Sequence, residues 1–253
     1  MNLFDVSNKT VVVSGSSRGL GKALAGCFGQ LGAKIVISSH EEDELEETRR
    51  EFQDLGYEVL AQPADVRREE DVQQLVQEAV NQFGKLDIMV CNAGTDIIKP
   101  AETYEIDEWE QVLSVNVRGY YLCAKAAAQR MLPQEHGSII MTSSIAGSLG
   151  VPGLAPYAVS KGGANQLVRT MATEWADRNV RVNAVAPGYI NNFMKDVHVD
   201  LDTPYQRRAM AHTPMGRRGE LSEYFGPYVF LASEASSFVT GEILYVDGGY
   251  HAA

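Results

Sequence analysis

Thr10-Val11-Val12-Val13-Ser14-Gly15-Ser16-Ser17-Arg18-Gly19-Leu20-Gly21 carries most of the information about how this chain folds. The run 10–13 is apolar and β-branched, as in a parallel strand covered on both faces. Gly15, Gly19 and Gly21 follow in a G-x3-G-x-G pattern and lead into a helical stretch at 19–31. Glycine permits the tight turn and lets backbone N–H groups approach a ligand closely. Such a turn, opening a helix, suits the pyrophosphate of a dinucleotide.

The rest of the chain repeats this alternation. Strand candidates lie at 10–13, 34–38, 58–62, 86–91, 137–142, 181–186 and 243–246, and helix candidates at 19–31, 41–55, 69–83, 107–131 and 157–177. Alternation of this kind predicts an α/β, doubly wound (Rossmann), mostly parallel seven-stranded sheet with helices on both faces. Residues 1–253 show no linker, repeat or low-complexity tract, so one domain is expected. The polar segment at about 191–218, with Pro204 and Pro214, interrupts the alternation and reads as a loop region over a site.

Composition narrows the function classes. The chain is 45% hydrophobic and 22% charged, an ordinary balance for a globular protein with a large core. A formal charge of −11 argues against nucleic acid and anionic membranes as main partners. Met1-Asn2-Leu3-Phe4-Asp5 lacks the features of a signal peptide, and no apolar run reaches the ~18 residues of a membrane span. The cytoplasm is the expected compartment. Cys27, Cys91 and Cys123, and His40, His136, His198, His212 and His251, fall in no metal-ligand spacing, so no catalytic metal is expected.

Tyr157 and Lys161 stand one helical turn apart, thirteen residues after Ser144. Residues four apart share a helix face, so a phenol and an ammonium can address one site. A phenol's pKa of about 10 is too high for efficient proton transfer near neutrality, and a nearby cation favours the phenolate. The Ser144 hydroxyl suits a carbonyl oxygen on which negative charge develops. With the glycine turn, these residues suggest hydride transfer to a ketone or from a secondary alcohol.

Adding Asn92-Ala93-Gly94, Asn116 and Pro187-Gly188 in this order, the chain resembles the compact short-chain dehydrogenases/reductases from Lys9 to Gly249. The resemblance implies roles. Tyr157 is the general acid in reduction and the base in oxidation. Lys161 lowers the pKa of Tyr157 and holds the nicotinamide ribose, and Ser144 positions the substrate oxygen. Asn116 kinks its helix and supports a water relay to the lysine. The cofactor is implied to lie on Gly15, Ser17, Arg18, Gly19, Leu20 and Gly21, with Ser39 and His40 beyond the second strand. Asp65 and Val66 are expected at its adenine, Asn92, Ala93 and Gly94 at the sheet's carboxyl edge, and Pro187, Gly188 and Ile190 at the nicotinamide. Asn192 stands where the family usually has a threonine, and is expected to contact the carboxamide; the resemblance also implies a substrate-covering loop and short helices over about 191–218. Asp65 alone also reads as a turn residue.

The end of the second strand bears on cofactor choice. An acid about twenty positions after the glycines usually grips the ribose of NAD. Here Ile37 is followed by Ser38, Ser39 and His40, while Arg18 precedes Gly19, which favours NADP(H) over NAD(H). Ser39 and Glu42 also have capping-box spacing. Asp96, Leu154, Tyr189 and Asn191 are candidate substrate contacts. A small polar, sugar or polyol substrate, as in gluconate 5-dehydrogenases, is favoured over that of a 3-oxoacyl-[acyl-carrier-protein] reductase. The latter needs a basic landing patch, for which Lys125, Arg130 and Arg169 are candidates. A catalytically inactive cofactor-binding protein is the alternative of another class. Ala124, Ala127, Ala128, Val168 and Met171 extend the apolar surface of two long helices, and the resemblance pairs these helices across a two-fold axis in a homotetramer.

Overall fold

The computed structural model describes residues 2–191 and 202–253. Seven strands, all parallel, form one sheet: β1 (Thr10–Ser14), β2 (Lys34–Ser38), β3 (Val59–Ala61), β4 (Ile88–Cys91), β5 (Gly137–Thr142), β6 (Val180–Pro187) and β7 (Ile243–Val246). Their order is β3-β2-β1-β4-β5-β6-β7, so chain direction across the sheet reverses between β1 and β4. Ligands bind at such a reversal, outside the strands' carboxyl ends. β1 and β2 run level from Thr10 opposite Lys34 to Ser14 opposite Ser38. The glycine turn therefore begins beside Ser39.

Two cores flank the sheet because side chains alternate along each strand. Val12, Val36, Met89, Ile139 and Met141 face α3 (Glu69–Phe83), α5 (Gly119–Gln134) and α6 (Ala155–Trp175). Val11, Val13, Ile35, Ile37, Val90 and Ile140 face α1 (Gly19–Gln30), α2 (Glu42–Asp54) and α8 (Phe225–Ala232). Acidic residues fill the first turns of α2 (Glu42, Asp43, Glu44) and α3 (Glu69, Glu70, Asp71), where the helix dipole favours them. The first turn of α1 has no acid and no side-chain cap. Its N–H groups stay available to an anion.

Three local expectations change. The helix expected over 107–131 is α4 (Ile106–Leu113), a π-helical turn at Ser114–Arg118, and α5. Asn116 lies in that turn, held by a distant segment (below), and this produces the break that the resemblance implied. Ser39 caps nothing: α2 starts at Glu42 behind Glu41, and Ser39 Oγ accepts from the Glu41 N–H (3.1 Å). Within the segment 191–218 stands α7 (Pro204–His212), a short helix of the kind the resemblance implies there, whose Thr203 hydroxyl accepts from the Gln206 N–H at 3.1 Å. Finally, Ala124, Ala127, Ala128, Val168 and Met171 are taken up by the chain's own core. The groove between α5 and α6 is lined instead by Val117, Tyr121, Leu132, Leu167 and Trp175, with Ala128 and Met171 reaching it from the core.

Candidate active site

A cavity of about 690 Å3 runs along the carboxyl edge of the sheet, from the β1–α1 turn to the start of α6. At one end the backbone is packed so closely that only glycine fits. A Cβ on Gly21 would fall 2.1 Å from the Gly15 carbonyl oxygen, and one on Gly15 would fall 2.6 Å from Ala93 Cα. Gly15 and Gly19 also hold φ of 65° and 56°, which L side chains rarely adopt. Ser16 ties the turn to the sheet, its Oγ donating to Val13 O (2.6 Å) and accepting from the Ser38 N–H (2.9 Å). This bare, uncapped helix start fits a pyrophosphate.

Asn92 braces the floor. Its Nδ2 donates to the carbonyls of Ser14 and Gly15 (3.2 and 3.1 Å), and its Oδ1 accepts from Thr142 Oγ1 (3.2 Å). Its role is to join β1, β4 and β5. Ala93 and Gly94 continue along the cavity wall.

The adenosine end holds Arg18, Ser39, His40, Asp65, Val66 and Arg67. Arg18 Nε lies 3.6 Å from Glu44 Oε2, and Ser17 Oγ donates to Ser39 Oγ (3.1 Å). Asp65 accepts from the guanidinium and the backbone N–H of Arg67, which hold its carboxyl below the usual range. The turn reading of Asp65 is seen in its bond from the Arg67 N–H, and the residue also lines the cavity.

Tyr157, Lys161, Ser144 and Asp96 meet at the other end. Leu154 and Pro156 place Tyr157 in the first turn of α6, with proline where an N–H would lack a partner. Ser144 caps the short turn Ile145–Gly147, its Oγ accepting from the Ala146 N–H (3.2 Å). Lys161, 2% exposed, donates to Thr142 O (2.8 Å) and Tyr120 Oη (3.0 Å). Burial lowers its pKa to about 7, against the pull of the Asp96 carboxylate. Burial likewise raises Asp96 to about 7, opposed by its bond from the Ile97 N–H and by Lys161.

The phenol departs from expectation. Burial, and then Asp96, push Tyr157 above its usual value, while the hydrogen bond with Ser144 pulls it back. The ammonium sits 5.4 Å from the Tyr157 ring centroid and spends its hydrogen bonds elsewhere. Burial is thus the dominant influence on the phenol, and what opposes it is the Ser144 hydrogen bond.

Asn116 lies outside the cavity lining and is fully buried. Its Oδ1 accepts from the Thr95 N–H, and its Nδ2 donates to Thr95 O (both 2.9 Å) and Ser160 Oγ (3.0 Å). The side chain fixes the loop carrying Asp96 against α6, and all three bonds are made with protein groups. Asn191 is likewise absent from the lining: it is exposed and donates to Glu220 Oε1 (2.6 Å). Asn192 lies outside the described residues.

A family model described as enoyl-(acyl carrier protein) reductase matches residues 15–251. Glucose 1-dehydrogenase of Gluconobacter oxydans (strain 621H) is 38% identical over 247 residues, which cover 96% of this chain and 92% of that protein. The 3beta-hydroxysteroid dehydrogenase 1 of Eggerthella lenta is 38% identical over 249 residues, covering 97% and 94%. A solved gluconate 5-dehydrogenase from Burkholderia cenocepacia J2315, in complex with NADP and tartrate, matches with a TM-score of 0.94 and 34% identity, covering 100% and 98%. The chain belongs to the short-chain dehydrogenase/reductase family. It is an NAD(P)-dependent oxidoreductase acting on CH–OH groups.

For this dehydrogenase the structure brings the expected Pro187, Gly188, Tyr189 and Ile190 to the cavity and adds Thr203, Tyr205, Gln206 and Arg218, which sequence reasoning passed over. Pro187 ends β6 at the cavity and Gly188 follows it, where a Cβ would fall 2.7 Å from Asp247 Cα. Beyond them Tyr189 and Ile190 join Thr203, Tyr205, Gln206 and Arg218. Tyr189 Oη shares a hydrogen bond with Tyr205 Oη (2.7 Å), and the Arg218 guanidinium lies 5.5 Å from the Tyr189 ring centroid. The Thr203-Pro204 pair, a cap followed by proline at the first helical position, was the available sequence signal for this wall. Among the described residues no group of three or more His, Cys, Asp or Glu is placed to hold a metal ion, and no helix is long and apolar enough to cross a membrane.

Proposed function

We propose that the chain interconverts a small polar ketone and its secondary alcohol, of sugar-acid or polyol type, with Tyr157 as proton donor and NADP(H) as the preferred cofactor. The supporting observation is the join within one cavity of a glycine-only phosphate cradle and the Ser144–Tyr157 hydroxyl pair, with Asp96 beside them. Gly15, Gly19 and Gly21 would hold the pyrophosphate, Arg18 and Ser39 a ribose phosphate, and Lys161 the nicotinamide ribose. The bound cofactor supplies or accepts the hydride. Ser144 Oγ–H orients the carbonyl oxygen, and Tyr157 Oη–H delivers the proton to that oxygen as charge develops. Burial favours the protonated phenol, the form that donates in the direction of reduction.

A polar substrate is supported by Asp96, Gln111, Thr203, Tyr205, Gln206 and Arg218 around the cavity, and by the names of several relatives. Of the three basic candidates for an acyl-carrier patch, Lys125 is paired with Glu69 (2.7 Å), Arg130 donates to the neutral Gln77 and Arg169 is exposed, so that reading loses one of its three charges. For assembly, the apolar groove between α5 and α6 supports a homotetramer formed across those helices. Three free cysteines, two of them buried, suit the reducing cytoplasm.

The test is to follow reduced nicotinamide across 5-keto-D-gluconate, gluconate, glucose, a 3-hydroxysteroid and an acetoacetyl thioester, with wild type and Tyr157→Phe. Turnover on the polar substrates should fall by a factor on the order of 10² or more in the variant, with cofactor affinity unchanged. Tight cofactor binding without turnover would make the chain a binding protein. Preference for the thioester would make it an acyl reductase.

A further inference from the structure

Lys161 is a cation with almost no exposure, and such a group persists only where the protein supplies acceptors. It has three N–H donors, and among the described residues two go to Thr142 O (2.8 Å) and Tyr120 Oη (3.0 Å). The ammonium also lies 4.7 Å from the Tyr120 ring centroid and 5.4 Å from that of Tyr157, within the range of attraction by an aromatic face. Tyr120 therefore meets Lys161 twice, through its oxygen and through its ring. It stands one helical turn after Asn116, on the same continuous stretch of helix.

We propose that Tyr120 is a positioning residue for Lys161: its phenol oxygen anchors the ammonium against β5, so that one N–H remains to face the cavity. This rests on the reading of Lys161 given under Proposed function.

The direction of the hydrogen bonds decides between an anchor and a proton relay. Tyr120 Oη–H donates to Thr142 O (2.9 Å), the same carbonyl that accepts from Lys161. A carbonyl passes no proton onward, so the chain of bonds ends there and Tyr120 acts as an anchor. Its phenol also stays neutral. Burial raises it well above the usual value, and Tyr157, Tyr228, Cys91 and Cys123 add to this. The anchor is rigid as well, because Thr142 Oγ1 bonds to Tyr228 Oη (2.7 Å) and to Asn92 Oδ1 (3.2 Å). The groups that face the ammonium and bear on its charge are Tyr120, Tyr157 and Asp96.

Tyr120→Phe keeps the ring and the packing and removes one acceptor. With less support for its charged form, Lys161 should lose its proton at lower pH. The experiment measures NADPH affinity by fluorescence titration against pH for wild type, Tyr120→Phe and Lys161→Met. Wild-type affinity should weaken as pH rises through about 7, over which Lys161 loses its charge. In Tyr120→Phe that limb should move down by about one pH unit, the scale of one hydrogen bond to a charged group. Lys161→Met should lack the limb. Turnover of 5-keto-D-gluconate should fall about tenfold in Tyr120→Phe, with KM within about twofold of wild type. Should the Phe variant not fold, Tyr120→Leu should move the limb in the same direction.

A Lys161→Met variant with the wild-type limb and turnover overturns the reading of the site, and this inference with it. An impaired Lys161→Met beside a Tyr120→Phe or Tyr120→Leu variant with the wild-type limb overturns the inference alone.

Discussion

Asp96→Asn should make the protein more stable above neutrality and leave it unchanged in acid. Burial raises the Asp96 carboxyl from 3.8 to about 7, so the folded state keeps its proton across a range where the unfolded chain has lost it. The sign follows from linkage. Stability contributed by the protonated carboxyl is whole below pH 3.8 and is lost as pH rises through about 7. A displacement of this size corresponds to roughly 4 kcal/mol at most, and contact with cavity water reduces it to about 2 kcal/mol. Asparagine still accepts the 2.8 Å bond from the Ile97 N–H but carries no charge. Lys161 feels the Asp96 carboxylate only near the crossing, since its own ammonium is lost through about 7. The variant and wild type should therefore melt together at pH 4 and diverge by roughly 4–8 °C at pH 8. Scanning calorimetry at several pH values measures the difference. Parallel curves for the two proteins would show that Asp96 ionises freely and that its burial carries no such cost.

Two further substitutions, with Gly26→Ala as a control, test the cofactor end. Gly21→Ala places a Cβ 2.1 Å from the Gly15 carbonyl and 2.5 Å from Asn92 Nδ2, so the turn must open. It should cost about 1–3 kcal/mol in thermal unfolding and weaken NADPH binding. Gly26→Ala in the same helix meets only Phe52, at 3.4 Å, and should stabilise by up to about 1 kcal/mol, which sets the steric account against a general glycine effect. Arg18→Ala should weaken NADPH by about tenfold or more and leave NADH nearly unchanged, since only NADPH presents a phosphate to the guanidinium. Equal loss for both cofactors in fluorescence titrations would remove Arg18 from that role.

How much was legible in the sequence depends on how far away each cause lies. The strands were readable because a residue buried on both faces of a parallel sheet must be apolar along its whole length. The ends of β3 and β4 lie one or two residues inside the expected runs, although Glu58, Gln62 and Asp87 still exchange backbone hydrogen bonds with the neighbouring strands. Gly15, Gly19 and Gly21 were readable because a close approach of backbones admits only one residue type. The π turn was not readable from periodicity, since its cause is the bond between Asn116 and Thr95, twenty-one residues away. Asn191 looks like a substrate contact in a polar loop and turns out to serve Glu220.

The sharpest difference concerns Lys161. Spacing shows that an ammonium and a phenol share a helix face, but it carries no information on desolvation. Desolvation acts on the two groups with opposite results for their charge: it raises the phenol and lowers the ammonium, so both are driven toward the neutral form. A site that buries both must support the ammonium by direct contact if it is to remain charged at neutrality. That requirement explains why the acceptors on Thr142 and Tyr120 converge on Lys161, and why Asp96, poised at about 7, lies close enough to tune it. The pH dependence of the enzyme should accordingly follow Asp96 and Lys161 near neutrality, with the phenol protonated throughout.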